Sequence, residues 1–249
     1  MTAIRRGNLE AKPQIRMLYD MSEVLYDKEY LKSTGNQELY YMYRDLYLSR
    51  PDKETLRERG LRYDITVIPP RMLGAEFVKT AGHYHPLVPG TGVTYPELYE
   101  VLAGTAHFLL QKPEAGKEEE RIIEAVVIEA EKGDKAIIPP GYGHVTINPS
   151  NNTLKMANFV ARDFSSIYEP YKRMGGAAYY KLHDSFIKNR SYEAVPELRR
   201  LEPTNLSELG LKKGEEMYGL IRKDPALFDY LTHPQEYDEL FERIIPITN

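Results

Sequence analysis

The feature that most constrains this chain is a pair of histidines set two apart, His83 and His85, inside the stretch KTAGHYHPLVPGTGVTYPELYEVLAG (79–104). In an extended segment that spacing turns both imidazoles to one face, because side chains alternate with a period of two. Glu97 follows at the head of ELYEVL, whose Tyr, Val and Leu content reads as strand. A third histidine, His144, stands just after the turn-forming PPGYG. Two histidines, a carboxylate and a distant histidine suit a divalent transition metal with positions left open for substrate. An isolated histidine in a strand is ordinarily a half-buried polar residue, and that is the reading given to His107 and His183.

The glycines around these residues narrow the choice. Six residues separate Glu97 from Gly104, and the block GDKAIIPPGYGHVTIN sets Gly133, Pro139, Gly141, His144 and Asn148 at intervals of five, one, two and three intervening residues. This resembles both halves of the cupin signature, the second at every position. The resemblance implies a mainly β fold, a cupin jelly-roll barrel around a metal held by His83, His85, Glu97 and His144. Cupins host many unrelated activities, so at this level the likeness speaks of fold and metal only.

The rest of the chain accommodates such a barrel. Its 249 residues are enough to bury a proper core, and 42% hydrophobic with 28% charged residues is ordinary for a globular protein. A net charge of −4 argues against a nucleic-acid partner. The chain has no cysteine, so the metal must sit on nitrogen and oxygen ligands; the same absence suits a reducing cytoplasm. No apolar run approaches the roughly 18–20 residues of a membrane span. The opening MTAIRRGNLEAKPQ lacks the apolar region of a signal peptide. Tyrosine reaches 20 while tryptophan is absent, which supplies hydroxyls useful in a sugar site and equally useful in packing.

From Leu61 to about residue 163 short β segments recur between Gly, Pro and Asn, the texture of an antiparallel sandwich or barrel. Residues 1–60 read as an N-terminal extension packing on it, irregular but for the apolar patch MLYDMSEVLYD. Within it, NQELYYMYRDLYLSR is an amphipathic helix or a strand, since its periodicity fits both, and Lys53 to Gly60 is a short helix. Residues 164–249 read as a mostly helical C-terminal extension, with Asp224-Pro225 as a helix start. The run KEEE at 117–120 reads as a solvated hairpin loop.

A closer likeness spans residues 61–148. TVIPPRMLGAEFVKTAGHYH, PELYEVLAGTAHFLLQ and AIIPPGYGHVTIN resemble the cupin-type glucose-6-phosphate isomerases of archaea and some bacteria. The resemblance implies interconversion of glucose 6-phosphate and fructose 6-phosphate on one divalent metal ion per subunit (Fe, Mn, Ni or Zn), in a homodimer. Thr66, Thr80 and Gly82 match positions that hold the phosphate, and Tyr43 and Tyr168 match active-site tyrosines, with core packing as the other reading of Tyr43. The chemistry moves a proton between carbons 2 and 1, for which Glu97 is the base the pattern offers, with a metal-assisted hydride shift between the two carbons as the other route. Tyr99 faces the same way and reaches a sugar hydroxyl. Mannose-6-phosphate isomerase or dual specificity, an iron dioxygenase and a non-catalytic sugar sensor are the rival readings.

Two departures stand out. Eleven residues separate His85 from Glu97, about twice the usual cupin spacing or more, and PLVPGTGVTYP reads as an extra loop over the barrel mouth, a candidate lid. Where the archaeal forms carry a histidine two residues before the tyrosine aligned to Tyr168, this chain has Ser166.

Overall fold

In a computed structural model the chain is described over residues 4–6, 9–116, 120–163 and 165–246. Most of the KEEE run therefore lies outside the described residues. Ten strands build the body: β1 (Gln14–Met17), β2 (Glu38–Tyr43), β3 (Leu61–Ile68), β4 (Glu97–Ala103), β5 (Thr105–Pro113), β6 (Ile122–Glu131), β7 (Lys135–Ile138), β8 (Gly143–Ile147), β9 (Leu154–Ala161) and β10 (Arg199–Leu201). They form a six-stranded sheet in the order β7-β4-β9-β3-β2-β1 and a four-stranded sheet in the order β8-β5-β6-β10. All pairs are antiparallel except β6 with β10. This is the two-sheet jelly roll expected of a cupin.

The inner strands of the large sheet send residues to two different cores, as a period-two backbone allows. In β4, Tyr99 and Val101 face the four-stranded sheet and join Phe108, Leu110 and Val145, while Leu98 faces the other way. That outer face carries a second core of Tyr63, Ile65, Phe159, Tyr218 and Phe228, with ring centres 4.6–4.9 Å apart between Phe159 and Phe228, Tyr63 and Tyr218, and Tyr63 and Phe159. Residues 206–231 supply its cover.

Two expectations are corrected here and one open choice is resolved. The sheet does not start at Leu61: β1 and β2 hydrogen-bond into it, so the boundary drawn at residue 61 falls inside a sheet. The ambiguous NQELYYMYRDLYLSR resolves as strand β2 rather than a helix, in keeping with the β preference of its tyrosines. A helix, α1 (Arg50–Glu58), begins only after Ser49, whose Oγ accepts from the Asp52 N–H at 3.3 Å. The C-terminal extension is less helical than expected. After α2 (Glu169–Arg173), Gly175 and Gly176 take φ of 73° and 136°, where only glycine sits easily, and the chain turns into a hairpin of Tyr179–Lys181 with Phe186–Lys188. Beyond it the cover is made of short turns, the longest α-helix being Asp238–Ile244. Asp224 does cap the turn it begins, accepting from the Ala226 N–H at 3.1 Å.

Candidate metal centre

The segment 79–85 lies along β8, with Thr80 N–H on Thr146 O at 2.9 Å and His83 and His144 exchanging both backbone hydrogen bonds at 3.2 and 3.0 Å. His83 and His144 are therefore directly opposed. Just before His83, Gly82 takes φ +78°, and a Cβ there would stand 2.5 Å from the Tyr171 ring and 2.7 Å from Val145. Only glycine lets the backbone pass so close to the sheet. Tyr84 points the opposite way and accepts from Gln111 Nε2 at 2.7 Å, so the alternation aims both flanking histidines inward.

Glu97 opens β4 and meets them from the other sheet. The His83 and His85 Nε2 atoms are 3.2 Å apart, and Glu97 Oε2 is 3.2 Å from His85 Nε2 and 3.5 Å from His144 Nε2. One donor atom from each of the four residues fits within 4.8 Å. Ligand bonds of about 2.0–2.2 Å at angles near 90–110° put neighbouring donors about 3.0–3.5 Å apart, so the spacing fits a metal ion. The polar groups agree. Glu97 Oε2 is buried without a hydrogen-bond partner, whereas Oε1 accepts from Asn158 Nδ2 at 2.7 Å. His85 Nδ1 donates to Tyr95 O at 2.7 Å, which leaves its Nε2 lone pair toward the cluster. Burial, with the other two imidazoles and Arg44 adding to it, holds His83 well below its ordinary pKa. Burial holds His144 down to about 4 against the pull of Glu97. For Glu97 burial pushes upward, but His85 and His144 outweigh it and the carboxyl stays below its usual range. Imidazoles held neutral, as at His83 and His144, beside a carboxylate are the form a metal takes.

A cavity of about 50 Å³ opens onto the cluster. Thr66, Thr80, Gly82, Tyr99 and Tyr168 all line it. Tyr99 OH lies 3.1 Å from His144 Nε2, and burial together with the Glu97 charge raises its pKa well above the ordinary value, so it keeps its proton. Ser166 takes a place in the wall. Tyr43 does not: it belongs to the outer core, and Tyr40, Met42 and Arg44 occupy the inward positions. No residue of the 86–96 loop, the candidate lid, lines the cavity. The loop folds on itself through Val88 N–H to Val93 O at 2.8 Å, holds Gly141 N–H on Thr94 Oγ1 at 2.7 Å and presents Tyr95 O to His85, which makes it a brace for a ligand. His107 and His183 lie outside the cluster.

The sequence reading missed Asn158 and a charged triad. Asp64, fully buried, holds Arg44 Nη1 at 2.7 Å and Arg62 Nε at 2.9 Å on the cavity wall. The signal was present as polar residues at alternate positions of apolar strands, Arg62-x-Asp64-x-Thr66 and the Asn of LKMANFVA.

Known proteins resemble this chain over the same region. Residues 15–197 match the pattern of the family described as glucose-6-phosphate isomerase (GPI). The glucose-6-phosphate isomerase of Thermococcus litoralis is 33% identical over 138 residues, covering 55% of this chain and 64% of that protein. That of Thermococcus gammatolerans is 30% identical over 166 residues, covering 66% and 78%. Among solved structures, Bacillus subtilis oxalate decarboxylase aligns with a TM-score of 0.37 at 14% identity, over 53% of this chain and 28% of that one. With the family match running through both sheets and all four cluster residues, this chain belongs to the glucose-6-phosphate isomerase family.

Proposed function

We propose that the protein interconverts glucose 6-phosphate and fructose 6-phosphate as a metal-dependent aldose–ketose isomerase of glycolysis and gluconeogenesis. The observation that carries this is the cluster of His83, His85, Glu97 and His144 within a chain of that family. These four residues would hold one divalent ion, Fe, Mn, Ni or Zn, which when bound supplies a positive charge against the oxyanion that develops on the substrate.

The protein's own groups do the rest. Asn158 fixes one oxygen of Glu97 and leaves the other facing the cavity, where it takes the proton from carbon 2 and returns it to carbon 1. Tyr99, protonated, donates a hydrogen bond to a substrate oxygen. Thr66, Thr80, Gly82 and Tyr168 bind the sugar phosphate. Thr80 Oγ1 accepts from Thr146 N–H at 2.9 Å, so its own proton is turned to other acceptors. A cytoplasmic homodimer without nucleic-acid partners completes the reading; it rests on the cysteine-free composition, the net charge of −4 and the resemblance. No helix among the described residues is long and apolar enough to cross a membrane.

The test is a coupled isomerase assay before and after chelation. Chelation should remove activity and leave far-UV dichroism unchanged, and Mn or Fe(II) should restore turnover. Full activity in the metal-stripped protein would overturn the metal reading, and turnover of mannose 6-phosphate alone would overturn the substrate. Light scattering that found a dilution-stable monomer would remove the dimer.

A further inference from the structure

The chamber at the cluster is too small for a whole hexose phosphate, since about 50 Å³ admits about four waters. A second chamber of about 290 Å³ adjoins it, and Ala81, Gly82 and Tyr168 line both. Arg16, from strand β1, lines the outer one. Its guanidinium sits 5.5 Å from the centre of the Tyr168 ring and 5.9 Å from that of Tyr40, its cross-strand partner. Its Nε is buried and has no hydrogen-bond partner.

The other arginines nearby each have a carboxylate, two of them on the same one. Arg44 and Arg62 share Asp64, and Arg162 pairs with Asp45 at 2.7 Å. In the outer chamber Lys172 lies 3.3 Å from Glu23, and Asp20 accepts from the Met17 N–H at 2.9 Å. Arg16 forms no ion pair within 4.0 Å among the described residues. A half-buried guanidinium held between two aromatic faces, with no carboxylate on it, is arranged for an anion from outside the chain. The N–H of Gly82, on the same chamber, likewise donates to no group among the described residues.

We infer that Arg16 is the cationic anchor of the substrate, reaching its phosphate from the outer chamber where the two chambers meet at Gly82, while the reacting carbons enter the inner one. The identity of the sugar rests on the isomerase reading; the anion anchor does not. Thr66, Thr80 and Gly82 offer neutral donors only, and a phosphate taken out of bulk water needs a charge to replace its hydration. Arg16 is a positioning residue and never touches the reacting carbons.

The experiment compares the metal-loaded parent with Arg16→Gln, Arg16→Lys and Arg44→Gln, using calorimetric binding of inorganic phosphate and steady-state kinetics on glucose 6-phosphate. Arg16→Gln should weaken phosphate binding by about 10- to 100-fold and raise KM by a similar factor, with kcat within about threefold of the parent. Arg16→Lys keeps the charge over the rings but loses the fork, and should fall between the two. Unchanged phosphate affinity and KM in a folded Arg16→Gln would overturn the inference. So would a loss confined to Arg44→Gln, or a parent that binds no phosphate at all. If Arg16→Gln does not fold, Arg16→Lys decides, and parental phosphate affinity in it overturns the anchor. A parent that binds phosphate through Arg16 and isomerises no hexose phosphate would keep the anchor and remove the isomerase reading.

Discussion

Strand β4 carries two buried glutamates whose surroundings could hardly differ more. Glu97 faces the barrel interior, with one oxygen on Asn158 and the other without a hydrogen-bond partner near three imidazoles. Glu100 faces outward under the C-terminal cover, where it accepts from Met217 N–H at 2.8 Å and lies 3.7 Å from Lys135 Nζ. Lys135 in turn donates to the carbonyls of Gly133, Lys212 and Glu215. The outer glutamate is tied to its surroundings and fastens the cover to the sheet. The inner one keeps an oxygen open to an incoming group, at a cost in stability that an apolar residue would not incur. Burial alone does not distinguish structure from function here; hydrogen-bond completeness does.

The sharpest way to break that comparison is to make the same substitution on both faces. Glu97→Gln keeps shape and can still offer an oxygen to a metal, but it cannot take a proton. It should lower kcat by at least about a hundredfold with metal retained, measured by assay and elemental analysis. In D₂O the parent should place deuterium at carbon 1 or 2 of the recovered sugar. Metal retained with activity within a few-fold of the parent would take the base role from Glu97. Glu100→Gln should leave kcat/KM unchanged and cost about 1–3 kcal/mol, a drop in Tm of about 3–9 °C. A catalytic defect there would mean that the two faces communicate.

The contrast also explains what the sequence made legible. The four cluster residues show in the chain because the turn and strand spacing of a metal site is local: HxH, a carboxylate opening a strand, and PxGxxH. The Arg44–Asp64–Arg62 triad and Asn158 do not, because they meet through register across three strands. Parity is lost for a related reason. Where both faces of a sheet are covered, as in β2, apolar and tyrosine residues run unbroken from Leu39 to Tyr43 and nothing marks which set points inward. The C-terminal cover misled for the opposite cause. Its sequence has helical spacing, but Pro225, Pro234 and the Gly175–Gly176 pair cut it into pieces too short to propagate a helix.

A smaller effect should come from the outer face through acid. Hydrogen bonds from Arg222, helped by Ser49 and Tyr218, hold Asp52 down to about 2 against the upward push of burial, from an ordinary 3.8. A carboxyl depressed in the folded state stabilises it fully above the unfolded value and loses that contribution as pH falls through the folded one. The window is therefore about pH 4 down to 2. Arg222 is half exposed and screened by water, so the contribution is about 1–2 kcal/mol. Asp52→Asn should lower stability by that amount at pH 7 and flatten the acid limb of a Tm-against-pH curve. A parallel limb in parent and variant would show that the pair contributes nothing measurable.

The smallest expected effect tests the parity of β2 directly. Tyr40 and Tyr43 lie three residues apart in one tyrosine-rich strand, yet Tyr40 OH accepts from Ala81 N–H at 3.2 Å beside the cavity and Tyr43 packs in the outer core. Tyr40→Phe removes the acceptor that holds the Ala81–Gly82 backbone, and should raise KM several-fold by loosening that wall. Tyr43→Phe keeps the ring and its packing, so it should leave kcat and KM within experimental error and change stability by less than about 1 kcal/mol. Steady-state kinetics on both variants, with thermal melts as a control for folding, separates the two positions. A KM defect in Tyr43→Phe with a parental Tm would mean that this hydroxyl reaches the substrate, and the inward set of β2 would have to be 41 and 43 rather than 40 and 42. Parental kinetics in both would instead place the Ala81–Gly82 wall under the control of the β8 ladder alone, through the Thr80 N–H to Thr146 O bond.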